Sequence, residues 1–395
     1  ILLDGGIAGD LVELSGDLDN SGTFNVDFAG ESRLVPATGF DATMTNSGTF
    51  SISGASDFII GVSGVSGNTT FENTGEIDVA AGGNLTLLQT TLTHTGVLGI
   101  GASLRVEANS ILNLNTDFTL LSGGSISIGD GVSTAVLGGT GTLTNQGLVL
   151  LNDGTLAGDF TNQTGVISIQ GTANTNTGVL AFENDTTLVF SSASDKLSNS
   201  GQIDVNNSST LTVDTGTLHN LAAGTITVFS AGTIDLASGG VFQDDGLTTF
   251  GASPGTLTID GDMLRGDTSR LLIELGGLVP GIHDGFDQLS VTGELAAGGT
   301  LDVVEFGAFD VSAGDSFDII NAGTVTNSFR EIAGLDVGGG VVLDANQSAT
   351  GISLTGRAVT HQGTAGDDTL TGSAGDDVFV GGSGNDFILG GGGAD

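Results

Sequence analysis

The last part of the chain carries the residues whose types and spacing could bind a metal. From Gly363 the sequence reads GTAGDDTLT, GSAGDDVFV, GGSGNDFIL and then GGGGAD, so glycine, aspartate and apolar residues recur every nine positions. The sixth position is always an aspartate: Asp368, Asp377, Asp386 and Asp395. Calcium prefers carboxylate and carbonyl oxygens, whereas His and Cys suit softer metals. The spacing therefore predicts a calcium-binding stretch.

This stretch resembles the RTX repeats of bacterial proteins that are exported by type I secretion, whose nonapeptide is G-G-x-G-x-D-x-U-x. The resemblance covers residues 363–395 and includes three full periods in phase. It implies a parallel β-roll in which two nonapeptides form one coil, so that Asp368 pairs with Asp386 and Asp377 with Asp395. The candidate calcium-site residues are Asp368, Asp377, Asp386, Asp395, Gly366, Gly375, Gly384, Asp367, Asp376 and Asn385.

Each type of residue in the nonapeptide has an expected task. The glycines allow the turn to take positive φ, which lets carbonyl oxygens point into the loop. Leu370, Phe379 and Ile388 point the other way and are expected to stack into a narrow apolar core. Thr364 and Ser373 depart from the pattern because they replace the second glycine. A flexible acidic tail is the alternative, but a disordered tail has no reason to keep the apolar position in phase.

Composition restricts the partners of the chain. Its 395 residues include 46 Asp plus Glu against seven Lys plus Arg, for a formal net charge of -39. This charge disfavours nucleic acid, which requires a basic surface, and anionic membranes. The chain has no cysteine, and we find no apolar run long enough for a transmembrane helix. A calcium-binding protein that unfolds for export and folds outside the cell fits these features.

The two ends of the sequence suggest a fragment. The chain begins at Ile1 without Met or a signal peptide, and it stops inside the fourth nonapeptide. We therefore expect a longer protein.

A second, looser repeat occupies the first 230 residues or so. It has the form Asn-x-Gly-x-φ-x-φ, where φ is apolar, and seven of the nine steps between its marker glycines are 21–28 residues, within the range that indicates a solenoid. The marker glycines are Gly22, Gly48, Gly75, Gly96, Gly124, Gly147, Gly165, Gly178, Gly201 and Gly224. The recurring Asn is expected to bond turn backbone and to stack as a ladder.

Alternation of apolar and polar residues within each copy predicts short strands. Two or three strands per coil, joined by Gly, Asn, Ser and Asp turns, would stack in parallel around a continuous core. The predicted fold is therefore all-β: a right-handed parallel β-helix followed by a short calcium-binding parallel β-roll. A chain of small β-sandwiches is the alternative, but it needs a period near about 100 residues, which is absent. The inward pairs are Phe24/Val26, Phe50/Ile52, Ile77/Val79, Ile167/Ile169 and Ile203/Val205.

The repeat pattern of the sequence changes at residue 251. The element SPGTLTIDGD at Ser253–Asp262, with the stretch up to residue 357, resembles the C-terminal end of autotransporter-like passenger β-helices. Such a segment would close the open end of the solenoid, where an unpaired rung invites edge-to-edge association. We predict three regions: β-helix repeats in 1–250, a solenoid or capping segment in 251–360, and truncated RTX repeats in 361–395.

Few residues outside the tail indicate catalysis. The four histidines (His94, His219, His283 and His361) lie far apart without metal-ligand spacing, and His94 occupies the Asn position of the repeat. A polysaccharide lyase, epimerase or hydrolase is the enzymatic alternative, because some of those join a β-helix to RTX repeats. The chain has no Tyr or Trp and one lysine, which disfavours lyase chemistry and a sugar-binding cleft. We expect no enzyme activity.

An ice-binding surface is a further alternative. It needs threonines in a flat array at constant coil spacing, and the pairs Thr91/Thr93 and Thr142/Thr144 do not keep one register. We therefore predict a calcium-binding secreted or cell-surface solenoid of the bacterial adhesin or structural type. Its expected partners are calcium ions and a glycan or a host or cell-surface protein, with no nucleic acid and no membrane insertion in this stretch.

Overall fold

The computed structural model describes most of the chain. The described residues are 2–4, 12–15, 17–27, 31–35, 42–53, 57–61, 69–80, 83–100, 103–107, 109–131, 135–206, 209–229, 231–237, 239–251, 254–282 and 284–394. They form an all-β fold built on a parallel β-solenoid. Within these residues, no helix is long and apolar enough to cross a membrane. The chain divides into two compact units, residues 1–227 with 232–246 and residues 228–231 with 247–395.

The first unit consists of short strands that follow one another at close intervals. Its strands are β1 (Leu2–Asp4), β2 (Val12–Ser15), β3 (Leu18–Asn20), β4 (Thr23–Asp27), β5 (Glu31–Val35), β6 (Ala42–Asn46), β7 (Thr49–Ser53), β8 (Asp57–Ile60), β9 (Thr69–Asn73), β10 (Glu76–Val79), β11 (Asn84–Leu88), β12 (Thr90–His94), β13 (Val97–Ile100), β14 (Ser103–Glu107), β15 (Ile111–Leu114), β16 (Phe118–Leu120), β17 (Ser125–Ile128), β18 (Ala135–Gly138), β19 (Thr142–Asn145), β20 (Leu148–Asn152), β21 (Gly154–Leu156), β22 (Asp159–Asn162), β23 (Val166–Gln170), β24 (Asn174–Asn176), β25 (Val179–Phe182), β26 (Thr186–Phe190), β27 (Lys196–Asn199), β28 (Gln202–Val205), β29 (Thr210–Val213), β30 (Gly216–Asn220), β31 (Thr225–Val228), β32 (Gly232–Asp235) and β33 (Gly240–Asp244).

Strands of this unit pair in parallel with the third strand along, one coil away. Face 1 holds every third strand from β3 to β33 and face 3 those from β2 to β32, whereas face 2 consists of two sheets, β1 to β13 and β16 to β31, with no pairing between β13 and β16 in the described residues. On face 2, for example, Phe24 is in register with Phe50, and Phe50 with Ile77. Three strands per coil therefore enclose one core, as the sequence predicts. The right-handed sense of the coil stays a prediction.

The core of the first unit follows the predicted alternation. All five inward pairs predicted from the sequence are completely buried, and the residue between the members of each pair is half-buried on the outer surface. Phe24, Phe50 and Phe58 pack with ring centroids 5.1–5.9 Å apart. Burying aromatic and aliphatic side chains of this size supplies about 1.5–3 kcal/mol each, less the entropy of ordering them.

The repeated asparagines form three buried ladders among the described residues, which confirms the predicted stacking. Each Nδ2 donates to the side chain one coil away at 2.5–2.9 Å, and most also donate to turn carbonyls, as Asn199 does to the oxygens of Gly201 and Thr225. The amides thereby satisfy main-chain groups that water cannot reach. The ladders run Asn20–Asn46–Asn73–His94, Asn145–Asn162–Thr186 and Asn176–Asn199–Asn220–Asp244.

The marker glycines are required because the turns stack without a gap. A Cβ at Gly48, Gly75 or Gly96 would overlap the carbonyl oxygen of the marker glycine one coil before it. The glycine of the Asn-x-Gly repeat is thus explained by the close approach of two backbones.

Threonines on the outer surface keep a register that the sequence analysis missed. Thr43, Thr70 and Thr91 are aligned on face 1, and the same row continues through further β-branched residues, Ile111, Val136, Thr155 and Thr175. On face 2, Thr119, Thr144 and Thr161 are aligned. The pairs Thr91/Thr93 on β12 and Thr142/Thr144 on β19 lie on different faces and share no register, as the sequence analysis expected. Loops of different length separate the strands, so equal positions on a face are not equally spaced in the sequence.

The second unit begins with wider coils. Its strands are β34 (Leu247–Phe250), β35 (Thr256–Asp260), β36 (Met263–Arg265), β37 (Arg270–Leu275), β38 (Gln288–Ala297), β39 (Thr300–Glu305), β40 (Ser316–Asn327), β41 (Glu331–Ala333), β42 (Asp336–Gly338), β43 (Val341–Ser348), β44 (Gly351–Ala358), β45 (His361–Gln362), β46 (Thr369–Thr371), β47 (Phe379–Val380) and β48 (Phe387–Leu389). Strands β34, β37, β39 and β41 pair in parallel, as do β35, β38 and β40.

The parallel sheet ends in antiparallel strands, which the sequence analysis did not predict. Strand β44 pairs antiparallel with β40 on one side and with β43 on the other, and β43 pairs antiparallel with β42. This hairpin covers the edge of β40, an arrangement that prevents further strand addition there. The three-region division at residues 250 and 360 stays a prediction.

One buried carboxyl group joins three segments of the second unit. Asp287 is almost fully buried and accepts hydrogen bonds from the N–H groups of Gly255 at 2.6 Å and Glu274 at 2.8 Å. Burial raises the pKa of Asp287 to about 7; the two hydrogen bonds oppose this shift, and the nearby Glu274 adds to it. The loop before Asp287 is thus held by a group that titrates near neutral pH.

Candidate metal centre

The nonapeptides form two-repeat coils, as the resemblance implied. Strand β45 pairs in parallel with β47, and β46 with β48, so that His361 is in register with Phe379 and Thr369 with Phe387. Each pairing joins residues 18 positions apart. Aspartates at the sixth position of alternate nonapeptides are therefore brought to the same place on successive coils.

The carboxylates of the sixth position lie in the turns between these strands. The N–H of Asp368 donates to Asp386 Oδ1 at 2.9 Å, so the predicted pair is in contact. Asp368 Oδ2 in turn accepts from the N–H of Thr364 at 2.6 Å and from its hydroxyl at 2.9 Å. Asp377 Oδ2 accepts from the N–H of Ser373 at 2.6 Å. The second predicted pair includes Asp395, which lies outside the described residues.

The turns of the first coil differ from those of the second. Gly382, Gly384, Gly391 and Gly393 have φ between +90° and +122°, as predicted for the nonapeptide. Gly366 and Gly375 do not adopt positive φ, so the expectation for these two is wrong. In their turns the second position carries Thr364 or Ser373, whose hydroxyl accepts from the N–H of Gly366 or Gly375 at 3.3 and 3.1 Å. A local side-chain bond of this kind replaces the left-handed turn.

The second acid of the first two nonapeptides links one coil to the next. Asp367 Oδ1 accepts from the N–H of Asn385 at 2.8 Å, and Asp376 Oδ1 accepts from the N–H of Ala394 at 2.9 Å. Both bonds span 18 residues. Asp367, Asp376 and Asn385 therefore lie in the predicted turns, where they bond coil to coil through main-chain N–H groups.

Asp377 is the most enclosed carboxylate of the tail. Only 6% of the residue is exposed, yet its cover is a thin layer of turn atoms, with little protein beyond it. The N–H of Ser373 lowers the pKa of Asp377 from its usual value; the Ser373 hydroxyl, His361 and Thr360 add smaller effects in the same direction, and burial opposes them. Asp377 is thus held as a carboxylate.

The apolar side of the coils is only partly closed. Leu370 and Phe379 are half-buried, and Phe379 stacks on His361 with centroids 4.7 Å apart. Ile388 is 47% exposed, so its predicted place in a narrow core is wrong. The reason is local: within the described residues β48 pairs with β46 alone, and no further coil covers its other side.

Comparison with known families supports the geometry of this stretch. Residues 362–395 match the RTX calcium-binding nonapeptide repeat (4 copies). No curated protein matches the chain. The match covers residues 362–395 alone. It therefore identifies the RTX repeats and assigns no family to the solenoid.

The RTX repeats have the donor chemistry that calcium requires. From Ala358 to Asp395 the chain has six aspartates and no Lys or Arg, and its one histidine, His361, lies with Nδ1 3.6 Å from Asp377 Oδ1. A Cβ at Gly363, Gly372, Gly382 or Gly391 would overlap a carbonyl oxygen of the neighbouring coil. Carboxylates and main-chain carbonyls are therefore packed together without intervening side chains. These donor types are the ones that calcium prefers, and Asp368, Asp377 and Asp386 stay the predicted carboxylate ligands among the described residues.

Three hydroxyl residues take part in the turns and were not among the predicted site residues. Thr364 and Ser373 bond the sixth-position carboxylates, and Thr360 Oγ1 lies 3.3 Å from Asp377 Oδ1. Ser and Thr at the second position, in place of glycine, were a usable signal, because such residues commonly bond nearby backbone in turns.

The histidines do not assemble a second metal site. His94 is buried in the ladder, His219 contacts Asp245 through Nε2 at 2.6 Å, and His361 stacks on Phe379. His283 lies outside the described residues. Over the residues that the structure describes, no group of three His, Cys, Asp or Glu side chains is placed to hold a metal ion.

Proposed function

We propose that this chain is part of a secreted or cell-surface bacterial protein in which a β-solenoid presents a binding surface and the RTX repeats fold with calcium. The observation that carries this proposal is the 18-residue register of the tail, which brings Asp368 and Asp386 together on successive coils. Calcium would supply charge neutralisation there, and Asp368, Asp377, Asp386 and turn carbonyls would hold it.

Charge supports an extracellular place of action. A chain of net charge -39 repels itself unless counter-ions are plentiful, and calcium is far more abundant outside cells than inside. Type I secretion is the route that the RTX repeats suggest, since it exports an unfolded chain that then folds on meeting the ion.

The solenoid suits a structural or adhesive role. Its parallel coils carry a buried core and asparagine ladders, and stacked coils present regular outer faces. The proposed target is a glycan or a cell-surface protein. The autotransporter-like resemblance of residues 251–357 is in keeping with this role.

We further propose that the chain is not an enzyme. The absence of Tyr and Trp and the single lysine support this, and a degradation assay on neutral and acidic polysaccharides tests it. Release of reducing or unsaturated ends by the purified chain, absent from a boiled sample, would overturn it.

A calcium titration tests the main proposal. The chain is compared with the double variant Asp368→Asn/Asp386→Asn and with a matched control, Asp78→Asn/Asp235→Asn, which removes the same charge from outward positions of the solenoid. We expect calcium to raise the melting temperature of the tail in the chain and in the control, and to have a much smaller effect in the double variant. Equal responses in all three would contradict calcium binding by the RTX repeats.

The threonine row gives an independent reason to consider ice binding as a second function. Seven successive coils place β-branched residues at one position of face 1, and Thr155 and Thr175 bond each other through their hydroxyls at 2.8 Å. β-Branched side chains are stiff, so such a row is a regular array of methyl and hydroxyl groups. The test is inhibition of ice recrystallisation by the chain. Loss of inhibition in Thr91→Glu, with inhibition retained in Thr161→Glu on face 2, would support this function. No inhibition by the chain would exclude it.

A further inference from the structure

A shallow groove lies on face 3 of the first unit, across strands β8, β11 and β14. Its volume is about 290 Å³. Polar side chains form most of it, and two aliphatic residues lie between them. The lining residues are Asp57, Ile59, Asn84, Thr86, Leu88, Arg105 and Glu107.

The strand register fixes the positions of these side chains. Asp57 is aligned with Asn84, while Ile59, Thr86 and Arg105 form the next row. Neighbouring strands lie about 4.8 Å apart, so the groups of one row occur at short, regular intervals. All are outward positions on strands whose inward residues are completely buried, which makes the groove floor rigid.

One end of the groove pairs an amide with a carboxylate. Asn84 Nδ2 donates to Asp57 Oδ1 at 2.5 Å. This bond orients the amide and uses one of its two N–H groups, so the second N–H and the carbonyl oxygen of Asn84 can serve another molecule. Asp57 likewise retains a second carboxylate oxygen as an acceptor.

The other end carries a guanidinium group beside a carboxylate. Arg105 is one of six arginines in an acidic chain; its side chain is 55% exposed, and Nη1 lies 3.8 Å from Glu107 Oε1. A guanidinium has five N–H donors, so this single ion pair leaves most of them available. Burial raises the pKa of Glu107 above its usual value, with Arg105 opposing and Asp130 adding to the effect. Its carboxylate would therefore gain from a hydroxyl donor.

Carboxylates, an amide and a guanidinium within one groove match the chemistry of sugar hydroxyls. A hydroxyl both donates and accepts, so adjacent hydroxyls can donate to Asp57 or Glu107 and accept from Asn84 or Arg105. The chain has no Tyr or Trp to stack on a sugar ring, and in this groove Ile59 and Leu88 offer the apolar surface to its C–H groups instead. A neutral sugar is favoured over an acidic one, because the net charge of -39 repels polyanions.

We infer, resting on the adhesive role proposed above, that the groove between Asp57 and Glu107 binds a neutral saccharide chain, with Arg105 and Asn84 as the principal donors. Arg105 is a binding residue here and has no catalytic part.

The test measures binding of neutral oligosaccharides (gluco-, manno- and galacto-oligosaccharides) by the whole chain in a calcium-containing buffer. Binding is measured by saturation-transfer NMR and calorimetry. Oligouronates serve as the acidic comparison. Arg105→Ala and Asn84→Ala are the variants. Arg270→Ala is the matched control, because Arg270 is 58% exposed and also paired with a carboxylate, Asp302, at 2.6 Å.

We expect at least one neutral series to bind, Arg105→Ala to weaken binding about tenfold or more, and Arg270→Ala to leave it unchanged, since loss of a charge-assisted hydrogen bond costs about that much. Absence of binding by any neutral series overturns the inference, as does equal loss in Arg105→Ala and Arg270→Ala. Preference for oligouronates overturns the neutral assignment. If the chain adheres to cells and Arg105→Ala adheres equally well, the assignment of the binding site to this groove is wrong and the adhesive role stands.

Discussion

The first unit and the RTX repeats both consist of parallel coils, but they differ in strand length and in how much apolar surface they bury. A coil of the first unit has three strands of three to five residues and closes around completely buried Phe, Ile, Val and Leu side chains. A coil of the RTX repeats has two strands of two or three residues, and its three consecutive apolar residues in β48, Phe387, Ile388 and Leu389, are 47–60% exposed.

The difference shows which interaction stabilises each region. Burial of apolar surface and satisfied amide ladders are sufficient for the solenoid. The RTX coils bury too little to offset the entropy of ordering a glycine-rich chain, and their aspartates repel one another. A bound cation would offset that repulsion, so we expect calcium to stabilise the tail and to have little effect on the solenoid.

The largest effect is expected from the solenoid core. Phe50→Ala removes a fully buried ring that contacts Phe24, Phe58 and Phe71, and we expect it to destabilise the first unit by about 3–5 kcal/mol. Phe387→Ala in the RTX repeats is the counterpart and should change stability little, because that ring is 60% exposed. Urea unfolding monitored by circular dichroism distinguishes them. Similar losses would show that both regions depend on burial.

Titration of Asp287 should give the second unit a distinct pH dependence. Its pKa is raised from 3.8 to about 7, so its contribution is fully present below about pH 4 and is lost as the pH rises through 7. The difference between pH 4 and pH 8 would be up to about 4 kcal/mol. We expect Asp287→Asn to flatten the dependence measured by urea unfolding, while Asp235→Asn leaves it intact. Parallel pH profiles for the chain and Asp287→Asn would contradict this assignment.

The asparagine ladder should contribute less than the apolar core. Asn199→Ala removes the side-chain donor to the main-chain carbonyls of Gly201 and Thr225 and the side-chain hydrogen bonds to Asn176 and Asn220, which we expect to cost about 1–3 kcal/mol. Asn25→Ala, at an outward position, is the control and should cost a few tenths at most. Thermal unfolding of the two variants measures the difference. Equal melting temperatures would mean that the ladder adds nothing.

The smallest effect is expected from the histidine that ends the first ladder. His94 Nδ1 accepts from Asn73 at 2.8 Å, and burial lowers the pKa of His94 below its usual value, with a hydrogen bond from the ring to the Gly96 backbone opposing this shift. Its contribution is therefore present above about pH 6.5 and is lost as the pH falls through the lowered pKa. In an Asp287→Asn background, His94→Asn should reduce the loss of stability between pH 7 and 5. If His94→Asn loses as much stability between pH 7 and 5 as its background does, the pH dependence in this range arises from other titratable groups.

Local repetition made much of this architecture predictable. The Asn-x-Gly-x-φ-x-φ copies specify an inward pair such as Phe50 and Ile52, an amide such as Asn46 and a glycine such as Gly48, because each coil places the same residues against the previous one. The nonapeptide likewise specifies the 18-residue coil and the contact between Asp368 and Asp386.

What the sequence left open depends on neighbours distant in the chain. Alignment of Thr43, Thr70 and Thr91 follows from loop lengths that sequence spacing does not reveal. The exposure of Ile388 depends on what covers β48, and the antiparallel pairing of β44 with β40 depends on a sheet edge formed more than 20 residues earlier. Groups such as Arg105 and Asn84 come together only through register.

Hydrogen exchange with and without calcium, followed on peptides from both regions of the same sample, tests the central claim most directly. We predict that amides of residues 363–394 become protected only when calcium is added, while amides of the ladder strands β24, β27 and β30 are equally protected in both conditions. Protection of residues 363–394 without calcium, or a calcium response confined to the solenoid, would contradict the account.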